Sequence, residues 1–321
     1  MSFHHLRARA RVILQRLSRF FASTSLASLL AFALIPVGAL ACACGCGVFD
    51  IGIMLPTTPG GIAFLEYDYM NQNKNWSGLS HAPSDDNSDK GIRTDFYTAG
   101  AQYLFENGVG LTAEVPYWDR GFTTDTGDGI PTFHHSAFGD VRLTASYSGF
   151  SSDNSTGISF GIKLPTGDYT YQNFDRDTEI GSGSTDLSFG VYHVGSLSDD
   201  GMWRYFSQIR YQFAIATSGP YRPGNELDGI VGVSYDAVMS SDGIGVTPIF
   251  QIIGSTRMHD TGDRSNPMDS GYSRVLLAPG VEVSFNHWTL HAEVDFPVYQ
   301  NVIGNQLIAQ QLFKTNLAYA F

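Results

Sequence analysis

Phe313-Lys314-Thr315-Asn316-Leu317-Ala318-Tyr319-Ala320-Phe321 ends the chain. Successive side chains of a strand point to opposite sides, so Phe313, Thr315, Leu317, Tyr319 and Phe321 share one face. Lys314, Asn316, Ala318 and Ala320 share the other. An aromatic, apolar face backed by a more polar one suits the closing strand of a transmembrane barrel, which meets lipid on one side and a lumen on the other.

The same period-two pattern recurs upstream, and twelve segments carry it. In the first, Ala63, Leu65, Tyr67 and Tyr69 are expected outward and Phe64, Glu66, Asp68 and Met70 inward. In the seventh, Trp203, Tyr205, Ile209, Tyr211, Phe213 and Ile215 oppose Arg204, Gln208, Arg210 and Gln212. In the eleventh, Trp288, Leu290, Ala292, Val294 and Phe296 oppose His291, Glu293 and Asp295. Pro248 interrupts the ninth, although a proline removes a ladder donor. Links after even-numbered segments are short (Glu106-Asn107-Gly108, Asn286-His287), and those after odd-numbered ones are mostly long (Asn71 to Gly91, Asp119 to Ser136, Pro165 to Thr185). Short periplasmic turns facing long external loops are the asymmetry of outer-membrane barrels. The expectation is an all-β, transmembrane antiparallel β-barrel of about 12 strands spanning 60–321, with both termini in the periplasm.

The first residues have a different character. Arg7, Arg9, Arg11, Arg16 and Arg19 precede the apolar run Leu26 to Val37 and then Ala39-Leu40-Ala41. A basic region, a short apolar region and an A-x-A site form a secretory signal peptide. The run is shorter than the ~20 residues of a spanning helix. Residues 1–41 are therefore expected to be a cleaved leader and 42–59 a Cys-rich periplasmic segment. The whole chain carries 19 basic and 31 acidic side chains, a net of −12. Without the leader's five arginines the balance is 14 against 31, or −17, which argues against nucleic acid as a partner.

Cys42, Cys44 and Cys46 are the only cysteines, as C-A-C-G-C-G. Thiolates select soft ions such as copper or zinc, which makes this cluster a candidate metal ligand set; lipid attachment, redox partnering and no role are the other readings. The inward positions supply Glu66, Asp68, Glu114, Asp140, Arg142, Lys163, Arg204, Arg210, Asp228, Asp236, Glu282, His291, Glu293, Asp295 and Lys314. Ionisable groups at membrane depth are costly unless they face water or one another, so they mark either a solute pathway or a plug of salt bridges. Arg204 and Arg210, set against the acids of the eleventh segment, would make a transverse field. His291 with Glu293 and Asp295 lacks an accompanying nucleophile elbow or zinc-hydrolase motif, so no enzyme is expected. Gly181-Ser182-Gly183-Ser184-Thr185-Asp186 precedes no helix and is rejected as a phosphate loop. Asp85-Asp86-Asn87-Ser88-Asp89 lacks the spacing of a calcium hand.

Leu164-Pro165-Thr166-Gly167-Asp168, then Ile180 to Asp186, resembles the fifth-strand exit and loop of the outer-membrane transporters named for the meta-pathway of phenol degradation. Pro297-Val298-Tyr299-Gln300, Gly304-Asn305-Gln306-Leu307 and the terminal Phe321 are similar to that family's ending. The resemblance implies a barrel that passes small organic molecules and supplies no catalytic residues. The expected function is passive passage of small solutes, aromatic compounds among them, through a polar lumen, with outer-membrane lipids and the solutes as partners. The alternatives are a metal-binding or redox-linked barrel using the three cysteines, with a periplasmic partner, and a non-conducting anchor or receptor.

Overall fold

The computed structural model describes Leu55, residues 57–239 and residues 243–321. The expected leader, residues 1–41, and Cys42, Cys44 and Cys46 lie outside the described residues. The described chain is almost entirely strand: β1 (Gly60–Gly78), β2 (Ser80–His81), β3 (Asp89–Leu104), β4 (Val109–Thr124), β5 (Thr132–Phe138), β6 (Arg142–Tyr147), β7 (Thr156–Lys163), β8 (Ser184–Ser196), β9 (Trp203–Thr217), β10 (Glu226–Tyr235), β11 (Val238–Met239), β12 (Ile244–Arg257), β13 (Tyr272–Phe285) and β14 (Trp288–Ala320).

Eleven of these form a closed antiparallel ring, in which β1 pairs with β14 and β10 pairs with β12. β14 crosses the wall twice. Its first part, Trp288 to Val302, runs antiparallel to β13, and its second part, Asn305 to Ala320, runs antiparallel to β1. The reversal falls at Ile303-Gly304, where Gly304 has φ +70°. The ring is therefore traversed twelve times, matching the expected count. Closure leaves the ring itself without a free edge, the condition for a β-structure to sit in lipid.

The alternation read from the sequence is the alternation of exposure. Leu65, Tyr97, Leu111, Leu143, Ile158, Phe189, Ile209, Val231, Phe250, Val281, Leu290 and Leu317 stand exposed on the outer face. Inward-pointing Phe64, Phe96, Phe206, Ile253 and Leu276 are buried.

Two expectations need correction. The links Asn71 to Gly91 and Asp119 to Ser136 are largely strand, because β1 runs on to Gly78, β4 to Thr124, and β5 starts at Thr132. Beyond the lipid band the ladder continues with polar side chains on both faces, so hydrophobic alternation no longer marks it. The lumen is also not polar throughout. Met70, Phe96, Phe206, Ile230, Ile249, Ile253, Leu276, Ala278, Ala309 and Leu312 pack into one apolar cluster inside the ring. Ile230, Ile253 and Leu276 are direct cross-strand neighbours on β10, β12 and β13.

Pro248 also finds its explanation. Ser234 pairs with Ile249 and Val238 with Val246, so one extra residue separates β10 from β11 opposite Pro248. The missing donor coincides with a bulge. Pro116 repeats the device: Tyr117 pairs with Phe138 and Glu114 with Arg142, and the chain is interrupted between β5 and β6 at Gly139 to Val141.

Aromatic rings lie over glycines of the neighbouring strand. Phe206 opposes Gly232, where an added Cβ would stand 2.1 Å from the ring carbon Cζ. Gly232→Val is expected to displace Phe206 and destabilise the barrel by about 1–3 kcal/mol, the usual range for overpacking. Urea unfolding in lipid vesicles checks this, and an unchanged midpoint would refute the packing argument.

Candidate functional site

The ring is too wide for its own inward side chains to fill evenly. An eight-stranded barrel is just filled by side chains, whereas sixteen strands leave an aqueous channel. Here the apolar cluster, drawn from β9, β10, β12, β13 and β14 with Met70 of β1 and Phe96 of β3, fills one side of the lumen. A cavity of about 270 Å³ lies within the lumen and is lined largely from β1, β3, β4, β6, β7, β8 and β9. Part of its wall is a row of small polar positions, Thr112, Thr144, Gly161 and Ser188, each directly opposite the next on β4, β6, β7 and β8.

Two residues along lies a charged row built the same way: Glu114, Arg142, Lys163 and Asp186 are successive cross-strand neighbours around the wall. All four line the cavity, with Glu66, Asp68, Asp140 and Arg210. Lys163 is 9% exposed and sits 2.8 Å from Asp186 Oδ2 and 3.4 Å from Asp140 Oδ2. It also donates to Ser182 Oγ at 2.6 Å. A buried ammonium requires this saturation with acceptors, since leaving one member of such a set unpaired is strongly destabilising. Arg210 donates to Asp228 Oδ2 at 3.0 Å. Phe64, Phe96 and Trp118 add aromatic surface to the same cavity.

Sequence-derived candidates therefore separate into two groups. Glu66, Asp68, Glu114, Arg142, Lys163 and Arg210 converge on the cavity. Arg204, Glu282, His291, Glu293 and Asp295 are not among its lining residues. Arg204 is exposed near the short-turn rim. His291, Glu293 and Asp295 are buried on the filled side; His291 Nε2 lies 3.2 Å from Glu293 Oε2, and Gln251 Nε2 donates to the same oxygen at 2.5 Å. The transverse arrangement of Arg204 and Arg210 against Glu293 and Asp295 is thus not formed across the cavity. Asp236 accepts from Thr247 Oγ1 at 2.9 Å, and Lys314 stands opposite Asp68 in the β1–β14 register.

The feature that sequence reasoning missed is the connection between β7 and β8. Residues 164–183 fold into the mouth instead of standing outside it. Phe174 packs with Ile92, Phe122 and Leu307, and Arg176, Asp177, Glu179 and Ile180 face the cavity. Arg120, 1% exposed, donates to Thr94 Oγ1 at 2.9 Å and to the Thr178 carbonyl at 2.6 Å. Arg176 lies 4.2 Å from the Tyr221 ring and 5.2 Å from the Tyr169 ring, and pairs with Glu179 at 3.1 Å. Glu179 in turn meets Arg264 at 3.3 Å. The signal was present in Gly167-Asp168 and in Gly181 to Asp186, whose spacing resembles a loop motif without revealing its contacts.

Within this connection, burial and the neighbouring carboxylates Asp175 and Asp260 push the Asp177 carboxyl up to about 7. Arg257 opposes that shift. Burial likewise raises Asp175 and Glu179.

Among the described residues no group of three His, Cys, Asp or Glu side chains is placed to hold a metal ion. No family model matches the sequence, and no curated protein does. Solved structures do. An outer-membrane channel from Pseudomonas putida F1 superposes with a TM-score of 0.67 at 13% identity, covering 85% of this chain and 100% of the other. The β-domain of the Bordetella autotransporter BrkA gives 0.49 at 14% identity, covering 82% and 100%. The Ralstonia pickettii toluene transporter TbuX gives 0.41 at 10% identity, covering 90% and 100%. The first of these shows the fold: an outer-membrane type β-barrel.

The seated connection holds the Asp177 proton that a solvated one would release near the ordinary value of 3.8. Its seating is therefore strongest in acid and weakens as pH rises from about 4 through about 7. Asp177→Asn removes the ionisable group. Hydrogen exchange of amides 169–178, compared with the wild type at the same pH, is expected to be equal in acid and slower in the variant above neutrality. Equal exchange at both ends of that range would refute the assignment.

Proposed function

We propose that this barrel conducts small solutes passively across the outer membrane, along the polar side of its lumen, without changing them chemically. The observation that carries the reading is the 270 Å³ cavity inside the ring, lined by Glu66, Glu114, Arg142, Lys163 and Arg210. Charged side chains at membrane depth that face a polar space rather than lipid are the signature of a pathway. The apolar side of the lumen makes the arrangement eccentric, so a solute would move past Ser, Thr and charged groups interleaved with Phe64, Phe96 and Trp118 on the open flank. That pairing suits small organic molecules with an apolar body and a polar group. An engineered apolar cavity of about 150 Å³ accepts benzene, so the volume is ample for one ring. The structurally similar Pseudomonas protein is described as an outer-membrane channel.

Gly61 and Phe321 share the rim that carries the short turns. By the usual asymmetry of such barrels, that rim is periplasmic.

Liposome swelling across sugars, aromatic acids and hydrocarbons tests the function. Swelling above that of empty vesicles is expected for at least one class; no swelling together with electrically silent bilayers would end the proposal. Within a conducting channel, Glu114→Gln is expected to move the reversal potential in a KCl gradient toward anion preference, and Arg142→Gln toward cation preference. Identical reversal potentials in all three proteins would remove the charged row from the path.

A further inference from the structure

The connection between β7 and β8 has a rigid neck and a differently built body. The neck is one carboxylate holding two distant points of the chain: Asp140 Oδ1 accepts the Gly167 N–H at 3.0 Å, and Oδ2 accepts the Ser182 N–H at 3.0 Å and the Ser182 hydroxyl. Gly181 N–H donates to the Asp168 carbonyl at 2.7 Å, tying the two sides directly. Here the glycines serve close approach. A Cβ at Gly181 would stand 2.4 Å from the Gly167 carbonyl oxygen, and one at Gly167 would stand 2.8 Å from the Gly181 Cα. Lys163 and Asp186, the last residue of β7 and the third of β8, complete the clasp from below.

The body, residues 168–180, has no strand ladder. It is held by side chains: Phe174 among Ile92, Phe122 and Leu307, Arg176 against Tyr221, and Glu179 to Arg264. A compact segment whose ends are fixed together can leave its seat without disturbing the strands that carry it. One of its acids works against the seat, since Asp177 is half-buried beside the carboxylates of Asp175 and Asp260. Yet it is this body that roofs the cavity through Arg176, Asp177 and Glu179.

We propose that residues 168–180 are a releasable strap, pivoting on the Asp140 clasp, and that its seating rather than the width of the barrel sets the largest solute that passes. This rests on the channel reading above and adds what limits it. The Leu164-to-Asp168 and Ile180-to-Asp186 motifs are then the hardware of the pivot, which explains why they are rich in glycine, serine and aspartate without forming a phosphate site.

The test replaces residues 169–179 by two glycines, keeping the clasp, and in a separate variant makes Phe174→Ala to loosen the seat. Heat-modifiable gel mobility establishes that each barrel is folded. Planar-bilayer recording is expected to show several-fold higher conductance for the deletion and more frequent visits to that level for Phe174→Ala, and liposome swelling is expected to admit larger sugars in the deletion. A silent wild type beside a conducting deletion supports the strap as well. A folded deletion with the conductance and sugar cut-off of a conducting wild type overturns the strap and leaves the channel standing. Should the deletion fail to fold, Phe174→Ala decides, and unchanged gating in it overturns the strap. Silence in the wild type and in every folded variant overturns both readings.

Discussion

A peptide N–H or C=O left unpaired in hydrocarbon costs several kcal/mol, and a sheet edge would expose a whole row of them. The chain meets that constraint by pairing β14 with β1. Gly61 N–H donates to the Phe321 carbonyl at 2.9 Å, and Phe321 N–H donates back to Gly61 at 2.8 Å. The terminal ring then lies over Gly61, where a side chain would collide with it. Every other feature follows from this closure: two faces per strand, a fixed register around the wall, and a lumen that must be filled or left open.

What fills the lumen is decided by the inward residues of the later strands. Ile230, Ile253 and Leu276 meet side by side because register places them in one row, and Met70 and Leu312 join them from the β1–β14 seam. On β4, β6, β7 and β8 the inward rows instead carry Thr, Gly and Ser, then Glu114, Arg142, Lys163 and Asp186. The result resembles a soluble protein core set against half of a pore. Such an apolar flank braces a barrel that ladder hydrogen bonds alone would leave hollow, and it pushes the open space toward the charged row. Bulges opposite Pro116 and Pro248 fit the same scheme, for they place ladder interruptions where a donor is missing.

The wall was legible in the sequence because lipid enforces a strict period of two. Leu65, Tyr97, Ile209 and Leu317 could be assigned a side without any knowledge of their neighbours. The strand extensions through Asn71 to Gly78 and Thr132 to Phe138 were not legible, since outside lipid the outer face meets water and the inner face holds buried polar groups such as Gln72 and Asn75, so no hydrophobic alternation is demanded. Within the lumen, charge alone did not reveal which residues face the cavity. Arg210 and Glu293 look alike in their strands, but one lies on the open flank and the other among buried partners on the filled one. The inward isoleucines of β10 and β12 were the missing clue: apolar residues on both faces of a membrane strand mean that its inner face is packed.

The β7–β8 connection was the hardest part to foresee, and the reason is instructive. Its contacts join Asp140 to Ser182, Arg120 to Thr178 and Glu179 to Arg264, pairs far apart in the chain that carry no periodic signal. Local composition suggested only a glycine-rich loop. In the fold, the same glycines allow two backbones to touch, and the same polar residues saturate one buried carboxylate and one buried ammonium. A loop on the surface would need none of this, because water satisfies its backbone and its charges. The density of polar partners around Asp140 and Lys163 is thus itself the mark of a segment that has been brought indoors. It also accounts for the division of labour between them: Asp140 holds the segment, while Lys163 balances Asp140 and Asp186 and keeps that junction from carrying two uncompensated negative charges.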